Sequence, residues 1–365
     1  MSRTEDVLPA FAIPIEAALG LRERGALLID VRSPGEYAEA TIPGALNVPI
    51  LDDDERAEIG TLYRQVGKQE ARRRGVSLVA PKLPALIAEV AAARAPNSPP
   101  VVVFCWRGGM RSRAMTQFLE LAGIPARQLA GGHKAFRGVV RSFFECGCWG
   151  RLLVLRGLTG VGKTRLLHRL AADGYPVIDL EGLANHRGSA FGHLGLAVQP
   201  SQQMFEAMLW DALRRVPPGG YALAEGESRH IGRLALPLRV HQSLQREVSI
   251  WVEAPLAARV QNILADYPAR DDLRQEFAGP IRALKERLGR QAVSELLGLL
   301  EQGAWEALVR DLMVGYYDPL YRHTLPARRI EVSVASGEAD LAGLKRAIAA
   351  VRDSPDSSAG KSDEG

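Results

Sequence analysis

Short runs of consecutive apolar residues recur along the chain, each closed by glycine, proline or a charge, and they alternate with stretches whose apolar positions repeat at helical spacing. Ala26 to Val31 (ALLIDV) and the β-branched run from Val101, behind Pro99 and Pro100, read as buried strands. Beyond the second run, Met115, Phe118, Leu119 and Ala122 fall on one helical face, and Ser112 is placed to cap that helix. In the second half Leu152 to Leu155, Tyr175 to Ile178, Tyr221 to Ala224, Ser249 to Val252 and Ile330 to Val334 read as further strands. Ala257 to Arg310 reads as helical, with dispersed arginines. Strands alternating with helices predict an α/β protein with parallel sheets, whose ligands collect at the carboxyl ends of the strands. The pattern divides into a first domain over 1–141 and a second over 142–352. Residues 353–365 turn to Ser, Asp, Gly and Lys and read as a disordered tail.

A chain of 365 residues, 47% hydrophobic, can bury two cores. Lys and Arg outnumber Asp and Glu only 46 to 42, so contact with nucleic acid must come from local patches. One candidate patch, Leu62 to Gly75 with Arg64, Lys68, Arg72, Arg73 and Arg74, reads as lying between the domains, either as a solvated face or as a track for a phosphate backbone. Three cysteines make no disulfide framework and suit a reducing compartment. With no apolar leader and no long apolar span read, the expectation is a cytoplasmic protein without a membrane partner, a monomer favoured. Cys146 and Cys148 form a lone C-x-C, which without a second ligand pair is not read as a metal site.

Two loops carry candidate chemistry. Cys105 stands at a strand's carboxyl end, followed by Arg107, Gly108, Gly109 and Arg111. Loop amides, a helix dipole and two guanidinium groups there form an anion cradle, a setting that lowers a thiol's pKa and makes it nucleophilic. Asp30 and Arg32 read as a structural ion pair behind this loop. The second loop, Gly157-Leu158-Thr159-Gly160-Val161-Gly162-Lys163-Thr164, matches G-x-x-x-x-G-K-[ST] between a buried strand and a helix. Its glycines let backbone N–H groups approach phosphates, Lys163 neutralises the terminal ones, and Thr164 suits Mg²⁺. The acid that supports such a loop belongs at a neighbouring strand's end, where Glu225 is preferred and Asp179 comes second, with Glu181 and Glu227 close by.

DVRSPGEY, TIPGALNVP, CWRGGMRS and LAGGHKAF resemble a rhodanese domain, in which the loop cysteine, here Cys105, carries sulfur or selenium. The common C-x-x-G-x-R loop gains Gly109 here, giving the C-x5-R count of cysteine phosphatases and keeping a phosphatase reading open. A rhodanese domain joined to a P-loop NTPase-like α/β domain with GLTGVGKT, DLEGLANHRGSAFG, EGESRHIG and YYDPLYRHT is similar to the tRNA 2-selenouridine synthase family. The resemblance implies replacement of sulfur by selenium in wobble 2-thiouridine, on the anticodon stem-loop of a tRNA. It further implies two steps, S-geranylation from geranyl diphosphate and selenation from selenophosphate, with an S-selanyl intermediate on Cys105. The phosphate loop would then grip a departing diphosphate rather than hydrolyse ATP. Asn185, His186, Arg187 and Ser189 would contact the prenyl donor or the RNA, although His186 suits a structural role equally. The other class left open is a P-loop kinase or ATPase with a regulatory rhodanese domain.

Overall fold

The computed structural model describes residues 10–267, 274–322, 325–334 and 338–354. Contacts divide the chain into one unit that runs to Cys146 and includes Glu206–Met208, and a second that begins at Gly147. Each is built on a parallel sheet with helices packed against it, the α/β class its alternating pattern predicts.

In the first unit the strands are β1 (Ala12–Ile13), β2 (Leu28–Asp30), β3 (Leu46–Asn47), β4 (Val101–Phe104) and β5 (Ala126–Leu129), in the order β1-β5-β4-β2-β3, every pair parallel. Val101, Val102, Val103 and Phe104 are fully buried, as a continuous apolar strand covered on both faces must be. Helix Met110–Leu121 turns Met115 and Leu119 into the same core as Ile29, Val31, Val101 and Val103. Helix Gly132–Cys146 continues past Arg141, because Phe136, Val140 and Phe144 keep its buried stripe going at i,i+4 spacing.

The basic segment Leu62 to Gly75 does not lie between the units, as its composition had suggested. It falls inside the first, across helices Asp53–Gln65 and Lys68–Val79 between β3 and β4. Its cations stand on an exposed face where Arg74 pairs with Glu58 and Arg73 with Glu70. A second correction concerns the apolar spans. The run Lys68–Ala93 is long and apolar enough to cross a membrane by length and composition alone. A 3-10 turn at Ala80–Lys82 interrupts it, and Ala71, Val79, Leu86 and Val90 are buried in the first unit.

The second unit holds β6 (Arg151–Gly157), β7 (Val177–Ile178), β8 (Tyr221–Glu225), a short antiparallel pair β9 (His230–Ile231) and β10 (Leu234–Ala235), β11 (Ser249–Glu253) and β12 (Arg329–Ser333). Its sheet order is β12-β11-β6-β8-β7, all parallel, which puts the strand feeding the phosphate loop in the middle. The predicted helical stretch forms Leu256–Asp266, Arg274–Ala283, Lys285–Glu301 and Trp305–Leu312, gathered around a separate core of Phe277, Ile281, Leu296 and Leu308. The last helix, Glu338–Asp353, reaches the first residue assigned to the tail, and residues 355–365 lie outside the described residues.

Behind the Cys105 loop the expected ion pair is present and almost completely buried. Asp30, with no exposed surface, accepts hydrogen bonds from Arg32 Nε at 2.9 Å, Arg32 Nη2 at 2.6 Å and the Thr41 hydroxyl at 2.8 Å. Arg32 Nη2 also donates to the Ala40 carbonyl, tying β2 to the turn after helix Pro34–Glu39. Removing one partner strands a buried charge, so Asp30→Ala is expected to cost about 3–5 kcal/mol in urea denaturation, with Asp30→Leu/Arg32→Met recovering most of the loss. A cost within about 0.5 kcal/mol would show that the pair has no structural role.

Candidate active sites

Cys105 directly follows β4 and keeps 3% of its surface. Its Sγ accepts the Gly109 N–H at 3.2 Å and lies 3.2 Å from the Ser112 hydroxyl. Gly109, not Ser112, occupies the helix cap position; Ser112 sits in the first turn, where its buried hydroxyl also meets Gln128 Nε2 at 2.8 Å. Donors gathered at a helix start are what an anionic sulfur or selenium atom requires. Gln128 further donates to the Gly108 and Gly109 carbonyls, so its amide ties β5 to the loop.

The loop is braced by the LAGGHKAF segment. His133 N–H donates to the Cys105 carbonyl at 2.8 Å and Lys134 N–H to the Trp106 carbonyl at 2.9 Å. Gly132 has φ +57°, and a Cβ there would overlap the Cys105 carbonyl oxygen and the Gly108 nitrogen. His133, packed among Phe104, Trp106 and Phe136, is pushed down to about 3, by burial first and then by the charges of Arg32 and Arg137, so its ring stays neutral.

Of the two loop arginines, Arg107 is exposed, while Arg111 donates to both oxygens of Glu36, at 2.6 and 3.3 Å. Burial alone would raise the Glu36 carboxyl; bonding to Arg111, the charges of Arg111 and Arg56, and the Ser33 N–H outweigh it and hold the group at about 2. Glu36 was not singled out in the sequence, although it stands inside DVRSPGEY. It fixes the direction of the Arg111 guanidinium beside the loop, and that charge is close enough to interact with Cys105.

In the second unit, Gly160 and Gly162 take φ +80° and +81°, and helix Lys163–Ala172 begins at the latter. From outside, Asn262 Nδ2 holds the Gly160 carbonyl at 2.9 Å and Arg259 Nε the Thr159 carbonyl at 2.8 Å. Arg259 is itself fixed by Asp318 at 3.0 Å, so YYDPLYRHT clamps the phosphate loop through a buried ion pair. A cavity of about 760 Å³ opens from the loop. Each motif contributes to its wall: Gly157, Gly160, Gly162, Lys163 and Thr164, then Glu181 and Arg187, then Glu227 and Arg229, then Tyr316, Tyr317 and Tyr321. Met313–Tyr317 is a π turn, which presents two of those tyrosines.

The acid beside the loop is neither Glu225 nor Asp179. Thr164 Oγ1 donates to Glu181 Oε2 at 2.9 Å, and Glu181 and Glu227 line the cavity. Glu225 is fully buried; one oxygen accepts the Leu180 N–H at 3.1 Å and the other has no partner among the described residues. Asp179 caps helix Leu180–Ala184 through Gly182 N–H and bonds His168. Burial first, and then the charge of Glu227, raise Glu181 to about 7 against the opposing pull of Lys163 and the Thr164 hydroxyl. Burial likewise raises Glu227, against Lys163 and Arg156. A hydroxyl and a carboxylate are donors of the type Mg²⁺ takes, so Thr164 and Glu181 fit that ion. No group of three or more His, Cys, Asp or Glu among the described residues is arranged to hold a metal.

The loop after Asp179 splits in role. His186 is buried, accepts the Gly188 N–H at 3.1 Å and is pushed down by burial, His193 and Arg187, the structural alternative for that residue. Asn185 ends its helix in the left-handed region. Arg187 lies over Tyr267 at 4.7 Å and Ser189 bonds the Tyr267 hydroxyl at 2.9 Å; both line the cavity. Cys146 and Cys148 are free and exposed thiols.

Comparison with known proteins places both units in known families. The family model described as the tRNA 2-selenouridine synthase AAA domain matches residues 150–348, and that of the rhodanese-like domain matches residues 15–138. The tRNA 2-selenouridine synthase of Chromohalobacter salexigens is 38% identical over 82% of this chain and 88% of its own length. Those of Nitrosomonas europaea and Cupriavidus necator are 34% and 35% identical, over 83% and 90% of this chain and 90% and 96% of theirs. With both units matched and relatives aligned along most of its length, the chain belongs to the tRNA 2-selenouridine synthase family.

Proposed function

We propose that this chain exchanges sulfur for selenium at C2 of a 2-thiouridine in a tRNA anticodon stem-loop, in the cytoplasm, in two steps. In the first, the thiocarbonyl sulfur attacks C1 of geranyl diphosphate. A C–S bond forms, the C–O bond breaks, diphosphate leaves and the N3 proton passes to solvent. Alkylation turns a poor leaving group into a thiol that departs readily. The amides of Gly157, Gly160 and Gly162, with Lys163 and Thr164, take up the charge that develops on the diphosphate. Mg²⁺ held by Thr164 and Glu181 would add neutralising charge there.

In the second step selenium from selenophosphate replaces geranylthiol at C2 and water takes the phosphoryl group as phosphate, so the net exchange is redox-neutral. Cys105 carries the selenium as an S-selanyl group, while Arg107, Arg111 and the loop amides receive selenophosphate. For this Cys105 first stands in a mixed disulfide with a small thiol. The selenium of selenophosphate attacks Sγ and that thiol leaves, and water takes the phosphoryl group from selenium. The S-selanyl selenium attacks C2 and expels geranylthiol, and the thiol then attacks Sγ, freeing 2-selenouridine and restoring the mixed disulfide. The observation that carries this reading is the Cys105 sulfur, met by Gly109 N–H and the Ser112 hydroxyl at a helix start, in a chain of this family.

Cys105→Ser is expected to prenylate thiolated tRNA normally and to incorporate no selenium. Lys163→Ala is expected to lose prenylation by about 100-fold or more. Mass spectrometry of tRNA nucleosides after incubation with geranyl diphosphate and selenophosphate reads both. Selenium incorporation by Cys105→Ser would remove the carrier role, and ATP hydrolysis with unaltered nucleosides would favour a kinase.

The raised Glu181 carboxyl carries a pH signature. Above its ordinary 4.5 the unfolded chain ionises this group while the folded one resists until about 7, so its contribution to stability falls across that window and stays low above it. Glu181→Gln is therefore expected to raise the melting temperature more at about pH 8 than at about pH 5, without divalent cation. An equal change at both pH values would contradict the shift.

A further inference from the structure

Beside the phosphate-loop cavity the second unit holds an apolar slot that the steps above leave without a role. Thr159, Ser189, Ile263, Tyr267 and Tyr317 line both spaces, so the slot opens onto the cavity rather than onto a separate surface. Its mouth lies against the phosphate loop: a Cβ on Gly160 would meet the Met313 methyl and Ile263. The mouth is also where the polar atoms are. The Tyr267 hydroxyl pairs with Ser189, and Ser189 also interacts with the buried Tyr317 hydroxyl.

Beyond the mouth the wall becomes hydrocarbon. Phe277 and Trp305 meet edge to face at 5.1 Å, Phe277 also stacks on Phe191 at 6.3 Å, and Leu308 is buried beside them. Phe277, Trp305 and Leu308 line the slot but not the cavity, which makes them its far end. A ribose and base extending from a phosphate into this space would lose hydrogen bonds to water and find none to replace them. An unbranched or methyl-branched hydrocarbon loses nothing, and its burial is favourable in proportion to its length. An ester oxygen joining the two parts would come to rest at the mouth, beside the hydroxyls of Ser189, Tyr267 and Tyr317.

We propose that this slot binds the hydrocarbon tail of a prenyl diphosphate whose head lies on the phosphate loop, and that the Phe277–Trp305 pair is the floor that sets the chain length accepted. The identity of the ligand rests on the prenyl-transfer reading above, whereas the slot can be tested by binding alone.

Calorimetric titration with inorganic diphosphate, geranyl diphosphate and farnesyl diphosphate makes that test. Wild-type protein is expected to bind geranyl diphosphate about 100-fold or more tighter than diphosphate. Trp305→Ala is expected to shift the farnesyl-to-geranyl affinity ratio upward by about tenfold, by deepening the floor. Leu308→Phe, which fills the same end, is expected to weaken geranyl diphosphate by about tenfold. Diphosphate affinity serves as the control for folding and should stay unchanged in both variants. Equal affinity of the wild type for diphosphate and geranyl diphosphate overturns the proposal, as does an unaltered chain-length ranking in both variants. Tight, length-selective binding without prenylation of thiolated tRNA would uphold the slot and sink the transfer reading instead.

Discussion

Amide hydrogens left unpaired where a buried parallel strand turns into a helix are the interaction on which both units depend. In the first, β4 leads directly into Cys105 and the Gly109 N–H points at its sulfur. In the second, β6 ends at Gly157 and the loop turns at Gly160 and Gly162 into the helix that starts at Lys163. Such loops keep their shape only if something else holds their carbonyls. The first has Gln128, His133 N–H and Lys134 N–H for this, and the second has Asn262 and Arg259. A glycine stands at each closest approach: a Cβ on Gly132 would meet the Cys105 carbonyl oxygen, and one on Gly160 the Arg259 carbonyl oxygen.

Charge is distributed around these loops by pairing rather than by excess. Arg111 is fixed by Glu36, Arg259 by Asp318, and Lys163 faces two carboxyl groups, Glu181 and Glu227, that burial makes reluctant to ionise. A site filled with uncompensated cations would trap any anion. One in which buried carboxyl groups resist ionisation stays closer to neutral beside its lysine.

What the sequence disclosed was local, and what it hid depends on sheet order and distance. VVVF and LLVL read as buried strands because covered parallel strands are continuously apolar, and GLTGVGKT reads as a phosphate loop because spacing alone defines it. Which carboxyl meets the Thr164 hydroxyl is not local information, for a physical reason. Glu181 and Glu225 both follow apolar runs, and only the order β6-β8-β7 decides that the Thr164 hydroxyl meets the first while the second is sealed beneath Leu180 N–H. Glu36 and Arg111 are 75 residues apart, and no periodicity links them. The apolar slot escaped notice because its walls come from helices that look, one at a time, like ordinary amphipathic segments. Leu62 to Gly75 misled in the opposite direction, since a basic face suggested a linker where two packed helices stand.

The π turn at Met313–Tyr317 gives the second unit an unusual sensitivity to residue number. A π turn holds one residue more than an α turn, and each α-helical residue advances the direction of its side chain by about 100°. Deleting a single position there would restore regular winding and swing the tyrosines of YYDPLYRHT away from the cavity, however well their identities were kept. It would also carry Asp318 out of line with Arg259 and so release the outer brace of the phosphate loop. Length in this segment is thus under a geometric constraint that substitution alone would never expose.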